Sequence, residues 1–425
     1  MYINKLHKLL IDCNYLVSTD TRKITSKSIF FALKGKNFDG NEYALEALKM
    51  GASFVIVDND FKNDLYKDQI IKVENVLETL QELSKFNRQQ SSAKVIALTG
   101  SNGKTSTKEL IKTVLENKYD VVCTEGNLNN HIGVPLSLLK IKPDTEIAII
   151  EMGANNFGEI DFLTKLILPD IGYITNFGKA HLEGFKNIDG VIKGKTELYK
   201  WILKNKKSIL INSDDKTQTK FIDDNSVTFG SKENSQYNFN DISENRVSVK
   251  YKNKIISTNL YGNYNFSNVC AAISLGLFFK IEIDTISEKL QNFELKNNRS
   301  EIIIKNDKKI ILDAYNANPS SMKSAIESFD MFSGTKIVIL GDMYELGDEK
   351  EKEHKEIIEY CLLKKIDNCV FIGEIFYQQK IEKPSLHFFR NKNDFFEKYK
   401  SISAKNILIK GSRGMKMEEI YKRIL

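Results

Sequence analysis

The chain is short of the residues that would place it outside the cell, in a membrane or on nucleic acid. Its five cysteines (Cys13, Cys123, Cys270, Cys361, Cys369) are scattered through 425 residues, with no C-x-x-C pair. That spacing excludes a disulfide framework and a thiolate zinc site, and points to reduced, mostly buried thiols. No apolar run reaches the roughly 18 residues needed to span a bilayer. The opening residues Met1-Tyr2-Ile3-Asn4-Lys5 lack the apolar core and small-residue cleavage site of a signal peptide, so a cytoplasmic location is expected. There is no low-complexity linker and no internal repeat. Charge of one sign is scarce too: 62 basic and 56 acidic residues leave +6. An excess that small and dispersed does not describe a nucleic-acid binder, although it suits anionic small substrates. The short cluster Lys204, Lys206, Lys207 reads as a solvated helix end.

What is present is enough for several cores. Hydrophobic residues make up 41%, and the length predicts two or three domains. The most informative stretch is Thr99-Gly100-Ser101-Asn102-Gly103-Lys104-Thr105-Ser106, between the apolar run Val95–Leu98 and a helical pattern carrying Leu110, Ile111, Val114 and Leu115. Strand, glycine turn, Lys-Thr and helix make a cradle whose backbone N–H groups face a phosphate. Lys104 would reach the β- and γ-phosphates of ATP, and the Thr105 hydroxyl would ligate Mg²⁺. Leu98 stands where the general G-x-x-x-x-G-K-[ST] loop has its first glycine, so an ordinary glycine-rich turn is the competing reading.

The fold class follows from the periodicity: α/β in three domains. Residues 1–90 predict a small mixed α/β unit, with strands at Ile29–Leu33 and Phe54–Val57 and helical spacing at Tyr43, Ala44, Ala47 and Leu48. Residues 91–296 predict a central P-loop ATPase-like unit with a mostly parallel sheet, its strands being Val95–Leu98, Ile147–Ile150, Ile171–Thr175 and Ile209–Ile211. Polar residues Thr99, Glu151, Asn176 and Asn212 close those strands, and in a parallel sheet they would share the ligand-binding edge. Residues 225–260 read as short antiparallel segments. Residues 297–425 predict a Rossmann-like α/β unit with strands Ile310–Leu312, Ile337–Leu340, Val370–Ile372 and Ile407–Ile409.

Several residues could carry chemistry at that edge. Glu151 is placed to hold Mg²⁺ on a triphosphate, or to cap a helix. His181 lies just beyond a strand end, and could reach the same edge or be structural. Lys195, which the pattern puts at the opening of a helix, is either solvated or a buried neutral amine that CO₂ can carbamylate into a metal ligand. Asn265 and Asn268 would share a helix face and suit the edge of adenine, although Asn also favours N-caps. Arg299, Asp313 (a strand-end carboxylate for a ribose), the acidic loop Gly341–Gly347 and the cationic loop Lys410–Gly414 come later. Together they suggest a cleft between domains.

These residues resemble the Mur ligase family, and the resemblance runs through the whole chain. Ser18-Thr19-Asp20-Thr21-Arg22, Phe31–Gly35 and Phe38-Asp39-Gly40 look like its uridine-diphosphate segment, and Thr99–Thr105 looks like its own phosphate loop. The resemblance implies an ATP-dependent amide ligase working through an acyl phosphate, with UDP-N-acetylmuramoyl-tripeptide and D-alanyl-D-alanine as substrates. It also implies Mg²⁺ and a monomer. Carried over by position, Lys104, Glu151, His181 and a carbamylated Lys195 are catalytic, and Thr105, Glu151, His181 and Lys195 hold metal. Gly100 to Ser106, Asn265, Asn268, Arg299 and Asp313 bind ATP. Ser18, Asp20, Arg22, Asp39, Asn129, Asn130, Tyr315, Asn316 and Asn318 bind the other substrates. Two positions depart from the pattern: Asn41 and Tyr264 stand where His is frequent. The alternatives are a sibling ligase adding the third stem residue, or a P-loop hydrolase or kinase of other function.

Overall fold

The computed structural model describes residues 2–62, 65–244, 246–295 and 298–424. The expected domain boundary at 296 and 297 lies outside the described residues. Three main sheets follow one another along the chain, of four, seven and six strands.

The first sheet is all parallel, in the order Val17–Ser18, Ile29–Phe31, Phe54–Asp58, Ile70–Val73. The helix Val76–Gln90 covers it. Asn75 caps that helix by accepting from the N–H groups of Leu77 and Glu78, and Val76, Leu80, Leu83 and Asn87 turn one face inward. Near its last turn, Arg88 reaches the central unit, donating to Ile167 O at 3.1 Å and pairing with Asp170 at 3.0 Å.

Every pairing in the seven-stranded central sheet is parallel. Lys94–Thr99 lies between Ile147–Glu151 and Ile171–Ile174. Its residues Val95 to Thr99 are all buried, which explains the unbroken apolar run. Three adjacent strands therefore deliver the glycine turn, Glu151 and the 175–178 segment to one edge. The reading of 225–260 as wholly antiparallel needs correction. Val227–Gly230 and Tyr237–Asn238 extend the parallel sheet, and the antiparallel order holds for Asn240–Asp241, Ser248–Tyr251 and Lys254–Ser257. Val227 and Phe229 are buried while Thr228 is half-buried, because this part of the sheet lies toward its edge. One-sided burial gives the alternation that suggests an antiparallel ladder.

The third sheet runs Glu301–Lys305, Lys308–Asp313, Asn406–Lys410, Lys336–Gly341, Asn368–Ile372, Leu386–Phe389. Glu301–Lys305 pairs antiparallel, and the other pairings are parallel. The strand latest in sequence sits mid-sheet, which brings Lys410 beside Asp313. This unit is docked on the central one. Tyr261 stacks on Phe332 with ring centroids 5.1 Å apart, and one apolar cluster runs through both units, from Val95 and Ile150 to Met322 and Leu408.

Candidate active site

A cavity of about 650 Å³ opens where the central sheet edge meets the C-terminal unit. The phosphate loop forms its floor. Gly100 (φ +149°) and Gly103 (φ +79°) have conformations that side chains disfavour. Packing demands glycine there as well. A Cβ at 100 would lie 1.9 Å from Thr175 Oγ1, and one at 103 would lie 2.7 Å from Asn268 Oδ1. The loop is tied to the neighbouring strand end, where Ser101 Oγ donates to Gly178 O at 2.9 Å and Asn102 N–H donates to Asn176 Oδ1 at 3.0 Å. No side chain caps the helix Lys104–Leu115, so its first N–H groups remain available to an anion. Lys104 Nζ folds back to donate to Gly100 O at 2.8 Å. Burial pushes the Lys104 pKa down, with Glu151 and Glu345 pulling the other way. Ser106, in the first turn, is also on the cavity wall.

Glu151 ends its strand almost fully buried. Both carboxylate oxygens are engaged: Oε2 accepts from Thr105 Oγ1 at 2.9 Å, and Oε1 accepts from Asn129 Nδ2 at 2.8 Å. This joins the phosphate-loop threonine to the Asn127–Asn130 segment through one anion. Asn130 Oδ1 accepts from the N–H of Gly133, the first residue of the next helix, at 2.8 Å. His181 lines the same cavity, with Nδ1 2.6 Å from Glu345 Oε2 of the C-terminal unit. His181 and Glu345 both have left-handed backbones (φ +53° and +62°), a conformation costing about 1 kcal/mol or more per residue. The contact with His181, helped by Lys104 nearby, outweighs burial and holds the Glu345 carboxyl below its ordinary range.

Lys195 closes the helix Ile188–Lys195, whereas the sequence pattern put it at a helix opening. The break at Thr196 between two consecutive helices is invisible to apolar spacing. Lys195 is 1% exposed, and its Nζ has no hydrogen-bond partner among the described residues. Burial, reinforced by the Lys104 charge, drives its pKa well below that of an ordinary lysine. A neutral, unpartnered amine is the form that carbamylation requires, so the residue fits that modification. For a divalent cation the donors also fit. Among the described residues no three His, Cys, Asp or Glu side chains cluster, so an ion beside Thr105, Glu151 and His181 would take its remaining ligands from phosphate and water, as Mg²⁺ does.

The opposite wall comes from the helix Phe266–Phe278 and the C-terminal unit. Asn265 and Asn268 are both on the wall, and each is 2% exposed. They are bonded to one another, Asn268 Nδ2 donating to Asn265 Oδ1 at 2.9 Å, while Thr107 donates to Asn268 Oδ1 at 3.0 Å. Part of their capacity is thus spent fixing the phosphate helix. Arg299 stacks its guanidinium 3.5 Å above the Tyr315 ring centre. Asp313 pairs with the buried Lys410, which also donates to Asn316 O at 3.2 Å. Asn318 caps the helix Pro319–Asp330 and also donates to Asn102 Oδ1 at 2.7 Å, linking the C-terminal unit to the phosphate loop.

The N-terminal residues stand apart from this cavity. Ser18 Oγ donates to Asp20 O, Asp20 accepts from the Arg22 N–H and from two of its guanidinium nitrogens, and the Arg22 side chain is 87% exposed. Asp39 accepts from Asn41, whose amide also donates to Asp58 at 2.8 Å. Glu345 and Asn102 make their contacts at the site with partners on another unit, His181 and Asn318, whereas Lys410 is held by Asp313 and Asn316 of its own unit. Tyr264, which stands where His is frequent, also lines the site, as does Ser300, which has no signal in the sequence.

Comparison with known proteins gives a consistent picture. The Mur ligase family catalytic domain matches residues 15–88, the Mur ligase middle domain 98–276, and the Mur ligase glutamate ligase domain 298–413. The chain is 36% identical to the UDP-N-acetylmuramoyl-tripeptide–D-alanyl-D-alanine ligase of Bacillus subtilis (strain 168), over 96% of this chain and 93% of that protein. Among solved structures, MurF from Acinetobacter baumannii superposes with a TM-score of 0.84 at 28% identity, covering 96% of this chain and 92% of the other. The MurF ligase from Thermotoga maritima, solved in complex with ADP, gives 0.81 at 26% identity and covers 96% of each chain.

Proposed function

The chain belongs to the Mur ligase family, and from that premise we propose that it joins D-alanyl-D-alanine to UDP-N-acetylmuramoyl-tripeptide with ATP as the energy source. The observation that carries this reading is near-full-length similarity to ligases of that name, together with a phosphate loop facing a buried strand-end carboxylate across an interdomain cavity.

A carboxylate is a poor electrophile, so activation comes first. An oxygen of the tripeptide carboxylate attacks the γ-phosphorus, the bond to the β–γ bridging oxygen breaks, and ADP leaves. The dipeptide amine then attacks the acyl carbon, loses a proton, and phosphate departs as the amide forms. Most of the catalytic work is positioning and charge neutralisation. Lys104 and the N–H groups from Gly103 to Ser106 would cradle the phosphates, with Gly100, Ser101 and Asn102 shaping the loop around them. Asp313 would accept from the ribose hydroxyls. Arg299, Asn265 and Asn268 would complete the nucleotide wall. Thr105, Glu151, His181 and a carbamylated Lys195 would hold Mg²⁺, which when bound would neutralise charge on the transferring phosphoryl group. Asn129 would orient Glu151.

Residues 1–90 would bind the UDP moiety through Ser18, Asp20, Arg22 and Asp39. Residues 91–296 would carry the nucleotide and the chemistry. Residues 297–425 would close over ATP and receive the dipeptide near Tyr315, Asn316 and Asn318. A monomer in the cytoplasm suits two water-borne nucleotide substrates. No helix among the described residues is long and apolar enough to cross a membrane. The deciding experiment is coupled ADP release by the purified protein with UDP-N-acetylmuramoyl-tripeptide, with and without D-alanyl-D-alanine. Release that needs both substrates supports the reading. Release with the dipeptide substrate (UDP-N-acetylmuramoyl-L-alanyl-D-glutamate) and a diamino acid would instead identify the sibling that adds the third stem residue.

A further inference from the structure

The turn Asn298-Arg299-Ser300 enters the C-terminal unit and presents Arg299 to the cavity. Asn298 (φ +59°) and Ser300 (φ +51°) both have left-handed backbones, which side-chain-bearing residues hold only when their surroundings fix them. Three ties come from the C-terminal unit itself: Tyr315 N–H donates to Asn298 O at 3.1 Å, Asn298 N–H to Glu301 Oε2 at 3.2 Å, and Ser300 N–H to Asp313 Oδ1 at 3.1 Å. A fourth comes from the central unit, where the Tyr264 hydroxyl lies 2.7 Å from Ser300 Oγ. Tyr264 belongs to the 3-10 turn Asn263–Asn265 that opens the helix bearing Asn268. Its ring fills the space a side chain at Gly262 would need, because a Cβ there would fall 2.3 Å from Tyr264 Cε1. The tyrosine is thus held from below, and its hydroxyl reaches across the unit boundary to the residue whose N–H holds Asp313.

We propose that Tyr264 is a positioning residue of the nucleotide site: its hydroxyl fixes Ser300, and through that turn sets Arg299 and Asp313 against the cavity. The inference rests on the nucleotide reading above. Without the hydroxyl, Ser300 Oγ loses its partner and the turn relies on ties from one unit alone. Arg299 over Tyr315 and Asp313 beside Lys410 then lose their tie to the turn that opens the helix bearing Asn268, although Asn318 still joins their unit to the phosphate loop. Nucleotide binding suffers, while the phosphoryl-transfer groups Lys104, Thr105 and Glu151 stay where they were.

The test is Tyr264→Phe, Ser300→Ala and the double variant, assayed as full-length enzyme. Each single variant is expected to raise KM for ATP roughly threefold to tenfold, the effect of one neutral hydrogen bond. It should weaken ADP binding by calorimetry to match. The kcat and both other KM values should stay at wild type. The double variant should be no worse than the worse single one, because both remove the same bond. Fully additive losses, or an unchanged KM for ATP in both single variants, would overturn the proposal. If Tyr264→Phe does not fold, Ser300→Ala carries the test, since it keeps the backbone N–H to Asp313. Wild-type protein that binds no ADP would refute the nucleotide reading itself, whereas wild-type binding with insensitive variants refutes only the role of Tyr264.

Discussion

Asn318 does two jobs that substitution can separate. Its Oδ1 accepts from Ser321 N–H at 2.9 Å to cap the helix Pro319–Asp330, and its Nδ2 donates to Asn102 Oδ1 at 2.7 Å in the phosphate loop. Asn318→Ala loses both bonds. Removing the cap costs about 1 kcal/mol of stability, and the bond to Asn102 is worth about 1 kcal/mol more. Asn318→Ser keeps a capping oxygen but is too short to reach Asn102. It should therefore unfold within roughly 0.5 kcal/mol of wild type less the contact itself, while KM for ATP rises about fivefold as the phosphate loop loses its brace. Asn318→Ala should show the same rise in KM together with a further stability loss of about 1 kcal/mol. Urea unfolding gives the first quantity, and initial rates of ADP release against ATP concentration give the second. A serine variant with the wild-type KM for ATP would show that the contact between units does nothing for the nucleotide. An alanine variant as stable as the serine one would show that the cap is not what holds this helix end.

Lys104→Ala should lower turnover by about a hundredfold or more with the circular dichroism spectrum unchanged; a fully active variant would remove Lys104 from the phosphate site. Lys195→Ala should lose most activity and recover part of it with small carboxylates such as formate, whereas high untreated activity would exclude Lys195 from the mechanism. Glu151→Gln keeps both hydrogen-bond partners in reach but removes the anion, so activity should fall about a hundredfold while stability changes by only about 1 kcal/mol; activity near wild type would refute a metal-holding role. Burial works to raise the Asp170 pKa, but Lys207, the Val95 N–H and Arg88 outweigh it and hold the carboxyl below its ordinary 3.8. A carboxylate depressed in the folded state adds stability above its unfolded pKa and loses it as pH falls through the folded value. Stability from this joint should thus decline below about pH 5, and Asp170→Asn should flatten that part of the acid curve; an unchanged curve by urea titration would refute the assignment.

The sequence disclosed those parts of the fold in which burial is symmetric. Val95–Leu98, Ile147–Ile150 and Ile337–Leu340 are apolar without interruption because both faces of their strands are covered. Val227–Gly230 misleads because its burial is one-sided. Strands such as Leu386–Phe389, at the sheet edge and in a short segment, carry too weak a pattern to be read. At the site, the glycine turn and Glu151 are legible because their geometry is local to adjacent strands. The contact of His181 with Glu345 is not, and neither are the hydrogen bonds from Asn318 to Asn102 and from Tyr264 to Ser300. Each depends on how one unit docks on another, which leaves no periodicity to detect.

The position of Asn406–Lys410 in the middle of the third sheet has a consequence for how the protein is made. Until that strand inserts, Lys308–Asp313 and Lys336–Gly341 have no partner on their facing edges, and Asp313 has no cation. The sheet must hold two apolar flanks open for its last component, a long-range closure that is slow and prone to edge-to-edge association. A nascent chain stopped before residue 406 would thus be both inert and sticky, and quality control would find it by its bare strand edges.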